Sequence, residues 1–520
     1  MCGIIAKPLT YDKLDSSIVY RGPDSTHKQT IADYVFTFHR LMIMDISHSA
    51  DQPFINERFI LMCNGEIFNF KQIKAQYATY PYISHSDCEV ILPLMLCYNL
   101  SEVCHILDGE FAFVIYAKDE HKILAARDPM GIRPLFYGYC DNGQIAFASE
   151  MKELLNCCKK ILPFPPGHYY DGQAIKPYLE LYKINQAKYK ELPKVLDNIR
   201  ELLVKAVVKR LDADVPVGYL LSGGLDSSLV CSIAAKNLSR PLETFAIGLD
   251  HNPIDLKYAK QMADYLGSNH HEVIFSQKDI AATLKTIIWI TETWDVTTIR
   301  ASLPMYLLCK YIRNNTQVRV VLSGEVSDEL FGYKYTDFAP TAKDFQLESQ
   351  KRIKELYMYD VLRADRCISS NSLEARVPFS DKEFVSYVMN IDPELKLNKY
   401  NMGKYLLRKA FAGQNYLPEE ILWREKAAFS DAVGHGLVDC LIELAQNQFT
   451  DAEFAQKCQK YKINPPLTKE ALMYRELFNQ AFPNQEHVIA GYWLPNQSWP
   501  NCNLSDPSAR HLPNYGNSGQ

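Results

Sequence analysis

Two stretches of this chain carry residue types that could do chemistry. The first is the start, Met1-Cys2-Gly3. Removal of Met1 would leave a thiol and an α-amine on one residue. An α-amine titrates at about 7.7–8, so it can accept the thiol proton near neutral pH, making Cys2 both nucleophile and base. Asn64-Gly65-Glu66 follows an apolar run, and an Asn side chain with a Gly N–H can hold an oxyanion. Arg21 and Arg40 offer guanidinium groups, which grip carboxylates in two-pronged fashion. Asp87 is a candidate acid for an ammonium group. The second stretch is Ser222-Gly223-Gly224-Leu225-Asp226-Ser227-Ser228. Two glycines between a strand and a helix that opens at Ser228 let the backbone approach an anion closely, and the helix N-terminus adds unpaired N–H groups. Asp226 would repel a bare phosphate, which suggests a bridging metal ion. Leu322-Ser323-Gly324-Glu325-Val326-Ser327-Asp328-Glu329 repeats the arrangement, with Asp328 suited to a metal and Glu325 to substrate.

The elements that must position these residues differ between the two parts of the chain. Residues 1–180 alternate short apolar runs with turns. Ile60–Cys63, Phe111–Tyr116 and Ile123–Ala126 are predicted strands, and Asp87–Asn99 is a predicted helix. Leu162-Pro-Phe-Pro-Pro-Gly167 and the polar residues up to Pro193 read as a domain end and connector. From about Asn198 the rhythm is strand–helix–strand: strands at Val215–Leu221, Thr244–Leu249, His271–Phe275 and Val318–Leu322, and helices at Leu229–Leu238 and Leu256–Leu266. This predicts parallel strands flanked by helices. Beyond Tyr335 the pattern is mostly helical. The expected division is residues 1–180, residues 195–500, and a loose polar tail at 501–520.

Composition excludes several classes. Lys and Arg number 56 against 61 Asp and Glu, a net charge of −5, so no basic excess exists to bind nucleic-acid phosphates. The apolar run at Val90–Tyr98 is far short of the ~18–20 residues that span a bilayer. Fourteen scattered Cys without a secretory signal read as reduced thiols in the cytoplasm. No CxxC pairing with His partners points to zinc, and His270-His271 reads as strand.

The Ser222–Ser228 loop lacks the lysine of GxxxxGK[ST] and resembles the loop of the ATP pyrophosphatases, which release pyrophosphate while transferring AMP. Main-chain groups near Leu220 and Ile247 are the expected adenine contacts. With the Cys2 start, Arg21–Asp24, Asn64–Glu66, Ser86–Glu89, Asp295–Arg300, Leu362–Asp365, Glu374–Phe379, Trp423–Lys426 and Asp506–Arg510, the chain resembles the glutamine-hydrolysing asparagine synthetases from Met1 to about Leu512. The resemblance implies an α+β N-terminal-nucleophile (αββα) glutaminase, a class II glutamine amidotransferase domain, followed by an α/β pyrophosphatase-like domain with a mainly parallel sheet.

It implies that Cys2 releases ammonia from glutamine, with Asn64 and Gly65 on the oxyanion. Arg40, the Leu41, Met42, Ile43 and Met44 segment, Glu66 and Asp87 bind that glutamine. It implies that Ser222, Gly223, Gly224, Leu225, Asp226, Ser227, Ser228, Ser323 and Gly324 bind ATP, with Asp226 and Asp328 on Mg2+. Glu325 and Lys426 act on a β-aspartyl-AMP intermediate, and Asp295, Arg300 and Glu329 are candidates for aspartate. Free ammonia would be protonated in bulk water, so an apolar passage between the two centres is expected. The family suggests a homodimer. Glutamine, aspartate and ATP are the implied partners, with neither nucleic acid nor membrane. The rival readings are an amidotransferase acting on another carboxylate and a degenerate, non-catalytic homologue.

Three positions depart from the family pattern. Val326 stands where glycine is usual, Gly332 is single where two glycines are usual, and Ala427 follows Lys426 in place of an acidic residue. A β-branched residue at positive φ is an outlier, so Val326 is expected to adopt β or helical φ, or the loop to be shifted.

Overall fold

The computed structural model describes residues 1–12, 16–250, 254–425 and 436–515. The chain forms two compact units. The first comprises Met1–Leu181, Asp212–Pro216 and Ile368–Ala375; the second comprises Tyr182–Leu211, Val217–Cys367 and Arg376–Gln520. The first unit thus takes in two later segments as well as the N-terminal stretch.

In the first unit two six-stranded sheets stack. One runs Cys158–Pro163, Phe136–Cys140, Ile145–Ala148, Gly3–Pro8, Tyr34–Arg40, Ser25–Ile31; the other runs Ile175–Pro177, His168–Tyr170, Lys122–Arg127, Gly109–Ala117, Phe59–Ile67, Phe54–Ile55. Their paired strands are antiparallel. Side chains alternate across a strand, and here both faces are buried. Ile60 and Met62 pack with Ile4, Ala6, Phe36 and Phe38 between the sheets. Phe59, Leu61 and Cys63 face the other way, against a layer holding Ile73, Leu94 and Val103. Three short helices, Phe70–Gln76, Ile91–Cys97 and Leu100–Ile106, make that layer. A 3-10 turn at Met151–Leu154 packs on the first sheet.

The predicted helix Asp87–Asn99 is a 3-10 turn, Cys88–Val90, running into the α-helix Ile91–Cys97. It stops early because Asn99 caps the next helix instead, forming a reciprocal capping box with Glu102.

In the second unit four strands run parallel in the order Asn269–Phe275, Glu243–Leu249, Val217–Leu220, Val320–Leu322. The chain moves outward in one direction from Val217–Leu220 and later returns to its other side. The order therefore reverses between Val217–Leu220 and Val320–Leu322, and ligands of open parallel sheets bind at such a switch point, beyond the strands' C-terminal ends. Both serine-glycine loops leave those two strands there. The helix after the first loop runs Leu225–Asn237, opening three residues before Ser228. Gly224 takes the N-cap position, so Asp226 and Ser227 lie in the first helical turn.

The expected loose tail is instead packed as far as the structure describes it. Cys502 and Leu512 are buried with Tyr335, Tyr359, Trp493 and Trp499, and Asn514 donates to Asp337 Oδ2 at 3.0 Å. Apolar residues spaced among its polar ones supply the anchors. Among the described residues, no helix is long and apolar enough to cross a membrane.

Candidate active sites

Asn64 continues the face of Ile60 and Met62, so its side chain points between the sheets towards the Gly3–Pro8 strand. Asn64 Oδ1 accepts from the Cys2 N–H at 3.0 Å. Its Nδ2 is buried and has no hydrogen-bond partner among the described residues. An amide donor aimed into the region beside a thiol is what an oxyanion site requires. Gly65 lies opposite Phe111, and a Cβ there would come within 2.7 Å of Glu110 O; no larger residue fits. The Cys2 Sγ lies 3.8 Å from Leu41 O. Burial pushes this thiol up to about 11, while the Met1 ammonium pulls it down. The Met1 ammonium is itself driven down to about 6 by burial.

Arg21 is fully buried. Its Nε donates to Cys2 O at 2.9 Å and its Nη1 to Glu150 at 2.8 Å, so it positions the Cys2 backbone. Arg40 donates to Ser47 O at 2.6 Å, to Asp51 Oδ1 at 2.7 Å and to Asp45 O. Its charge is already matched by Asp51, whose carboxyl it holds well below the usual range against the cost of burial. Leu41–Met44 follow directly, and Met42 N donates to Asp24 Oδ2 at 2.9 Å. Asp87 accepts from Ile67 N at 2.6 Å, at the end of the strand Phe59–Ile67 that carries Asn64, Gly65 and Glu66. Glu66 is buried.

In the second unit a cavity opens at the switch point. Leu220, Leu221, Phe245, Ala246, Ile247, Met305 and Leu308 line its apolar side; Ser222, Gly224, Asp226, Ser227, Ser323, Gly324, Asp328, Lys404 and Arg424 line its polar side. Every residue named from sequence for the nucleotide borders it except Gly223 and Ser228. Gly223 is at φ +70 and packs on the Tyr258 backbone, making the turn itself. Ser228 is completely buried beneath it. A Cβ on Gly324 would lie 2.9 Å from Ser227 N, so the two loops touch only because that residue is glycine.

Asp226 and Asp328 converge on one cation, the Lys404 ammonium, at 2.6 Å each. Ser327 Oγ also donates to Asp226 Oδ1 at 2.6 Å. Burial draws Lys404 below the usual lysine range, opposed by Asp226. Glu325 lines the cavity and accepts from Arg363 at 2.7 Å; burial raises its carboxyl, opposed by Arg363. Glu329 also lines the cavity and accepts from Tyr333 Oη at 2.5 Å. Burial and the nearby Asp360 push it up to about 8. Arg424 donates to Asp255 at 3.0 Å and to Gly223 O at 3.2 Å.

Asp295 and Arg300 are not brought to this cavity. Asp295 caps the helix Val296–Asn315 through Thr298 and accepts from Trp493 N at 2.7 Å. Arg300 is gripped by Glu470 and Asp506, with contacts of 2.6–2.9 Å. Both groups are spent holding the fold; Thr297, Ala301, Met305 and Leu308 of the same helix are the residues that reach the cavity. Lys426 and Ala427 lie outside the described residues.

Val326 is at φ +80 and buried, so neither expectation of β nor of helical φ holds. The loop has kept the left-handed turn despite the β-branched side chain. Lys404 is left-handed too, at φ 57. Strained backbone of this kind persists where surrounding structure enforces it, commonly at functional sites. Lys404, Arg408 and Asp255, which also line the cavity, were not visible from sequence, since each comes from a segment with no motif of its own; Arg424 lies in the Trp423–Lys426 match but was not singled out there.

Comparison with known proteins fits this geometry. The glutamine amidotransferase domain family matches residues 1–214, and the asparagine synthase family matches residues 198–346 and 337–506. A probable glutamine-hydrolysing asparagine synthetase of Dictyostelium discoideum is 40% identical over 556 residues, covering 98% of each chain. The glutamine-hydrolysing asparagine synthetases of Gallus gallus and Homo sapiens are 39% and 38% identical over 563 residues, covering 99% of each chain. Likeness at this level runs through the thiol site and the serine-glycine loops alike, and the chain therefore belongs to the family of glutamine-hydrolysing asparagine synthetases.

Proposed function

We propose that this chain converts aspartate to asparagine with glutamine as nitrogen donor and ATP as the activating reagent, through a β-aspartyl-AMP intermediate. The observation that carries the glutaminase half is the unpartnered Asn64 Nδ2 beside Cys2. Loss of Met1 would place an α-amine where the Cys2 nitrogen already sits, 3.0 Å from Asn64 Oδ1. Burial lowers the proton affinity of the Met1 amine, and burial of an α-amine at Cys2 would act in the same direction, favouring the free base that can take the thiol proton. The Cys2 sulfur attacks the glutamine side-chain carbonyl, Asn64 Nδ2 and the Gly65 N–H hold the oxyanion, ammonia leaves with the returned proton, and water then cleaves the resulting thioester to give glutamate and the free thiol. Glutamine's carboxylate is assigned to Arg40 and the Leu41–Met44 segment, and its amino end to Glu66 and Asp87.

In the second unit adenine packs on Phe245, Ala246 and Ile247, with phosphates over Ser222–Ser227 and Ser323–Gly324. Asp226 and Asp328 are assigned to Mg2+, since two convergent carboxylates are the hard-oxygen donors that ion prefers; Mg2+ would neutralise phosphate charge. A carboxylate has no good leaving group. An oxygen of the aspartate β-carboxylate attacks the α-phosphorus and pyrophosphate departs; ammonia then attacks the β-carbonyl carbon and AMP departs. Glu325, its affinity for protons raised by burial, takes the proton that ammonia sheds. Lys426 is assigned to the phosphate charge that develops, and Glu329 to the aspartate ammonium. We further place the protein in the cytoplasm, in keeping with its free thiols, and as a homodimer.

The deciding experiment is pyrophosphate release with aspartate, driven by glutamine or by ammonium, in wild type and Cys2→Ala. The variant should lose glutamine-driven synthesis and keep ammonium-driven synthesis. Normal glutamine hydrolysis by Cys2→Ala would remove the nucleophile from Cys2.

A further inference from the structure

Three cysteines with no part in either centre meet at the edge of the first sheet. Cys140 ends the Phe136–Cys140 strand, and Cys158 is its cross-strand partner in Cys158–Pro163, just before an irregularity in the register. Successive side chains of a strand point to opposite faces, but Cys157 precedes the strand, in the turn after Met151–Leu154, so its thiol reaches the same side. The Cys140 and Cys158 sulfurs are 3.8 Å apart and those of Cys157 and Cys158 are 3.6 Å apart. All three sulfurs lie within 4.8 Å of one another, and all three residues are buried.

We propose that Cys140, Cys157 and Cys158 form a binding site for one soft, thiophilic metal ion. The spacing is that of ligands around a shared centre. Sulfurs bonded about 2.3 Å from one ion lie about 3.8 Å apart in a tetrahedron and about 4.0 Å apart in a trigonal plane. The donor set is all sulfur, which selects ions such as Cu(I) and Zn(II) over Mg2+. Cu(I) would complete its shell with the three thiolates; Zn(II) would add a water. Each thiol that ligates gives up its proton to solvent as the ion binds. The 140–157–158 spacing matches no sequential metal motif, so only the fold shows the site. A bound ion would tie the edge strand to its neighbour and to the turn before it.

The test uses the full chain carrying Cys2→Ala, so that the nucleophilic thiol does not compete. The protein is reduced without oxygen, stripped by a chelator and titrated in separate arms with Zn(II) and Cu(I) against a competing chelator. Retained metal is counted after gel filtration. One equivalent in at least one arm is expected, with affinity falling at least 100-fold on adding Cys158→Ser and unchanged on adding Cys97→Ser, an exposed cysteine. Co(II) loaded into the parent protein should show a thiolate-to-metal charge-transfer band, which reads sulfur ligation even if a serine variant folds poorly. Absence of retained metal in both arms, equal affinity in Cys158→Ser, a Co(II) spectrum without that band, or a disulfide forming among the three in place of metal uptake would each overturn the proposal.

Discussion

The Lys404 ammonium lies 2.6 Å from Asp226 Oδ2, joining a residue 178 positions away to the phosphate loop. It is equally close to Asp328 on the second loop. Lys404 thus holds two carboxylates together that would otherwise repel at the mouth of an anion site. Lys404→Met should reduce pyrophosphate release by about 10²–10³, the cost of losing one preorganised electrostatic group. Glutamine hydrolysis should stay near wild type. Added Mg2+ should raise the variant's melting temperature more than the wild type's, because the two carboxylates are left without their cation. Undiminished pyrophosphate release would show that Lys404 is only a strut.

Asn64→Asp separates two roles of one side chain. The aspartate keeps an oxygen for the Cys2 nitrogen but loses the Nδ2 donor, which is buried without a partner. Glutaminase kcat should fall about 10²–10³, the usual effect of removing an oxyanion donor, with KM for glutamine changed only a few-fold. Ammonium-driven synthesis should be unaffected. A KM effect without a kcat effect would make Asn64 a binding residue.

Glu329 gives a pH signature. Burial and Asp360 raise its carboxyl to about 8, from an ordinary value near 4.5. Between these values the folded state holds a proton that the unfolded state has lost, so this group's contribution to stability falls as pH rises from about 4.5 to 8. Glu329→Gln should flatten that slope, measured by urea unfolding at pH 6 and pH 8.5. If the ionised form holds the aspartate ammonium, KM for aspartate should fall by up to roughly tenfold per pH unit between 6 and 8, and be high and flat in Glu329→Gln.

Much of this was legible in sequence because strand periodicity and turn chemistry are local. The Val217–Leu220 and Val320–Leu322 strands, the loops after them and the Asn64–Gly65 pair each announce themselves within ten residues. What was not legible comes from long-range closure. Lys404 follows a plain turn, and nothing within its own segment links it to Asp226. Asp295 and Arg300 sit in a stretch that matches the family, yet their partners Trp493, Glu470 and Asp506 are 170 to 206 positions away. A polar tail reads as loose until Cys502 and Leu512 are seen to pack.

That tail is predicted to support the synthetase cavity. Asp506 takes both Arg300 Nη groups at 2.8–2.9 Å, and Pro507, Ala509 and Leu512 line the cavity. Asp506→Asn leaves buried Arg300 with Glu470 alone, so unfolding should become easier by about 1–3 kcal/mol, below the 3–5 typical of a fully orphaned buried charge. Pyrophosphate release should fall with it, while glutamine hydrolysis persists. Equal losses of both activities would mean general unfolding instead of local loosening.

Val326 offers a test of strain. Removing a buried valine side chain ordinarily costs about 1.5–3 kcal/mol of burial, and glycine adds roughly 0.5–1 kcal/mol of chain entropy. At φ +80, however, the left-handed backbone itself costs about 1–2 kcal/mol for a residue with a Cβ, and more for a β-branched one. Val326→Gly releases that strain. Its net cost should therefore be about 1–2 kcal/mol smaller than that of Val321→Gly, a buried valine in the extended Val320–Leu322 strand. Unfolding of the two variants side by side measures the difference directly. Because Val326 lies between Glu325 and Ser327, a relaxed turn should leave pyrophosphate release equal to or above wild type; equal destabilisation of the two variants would show that the loop bears this φ without strain.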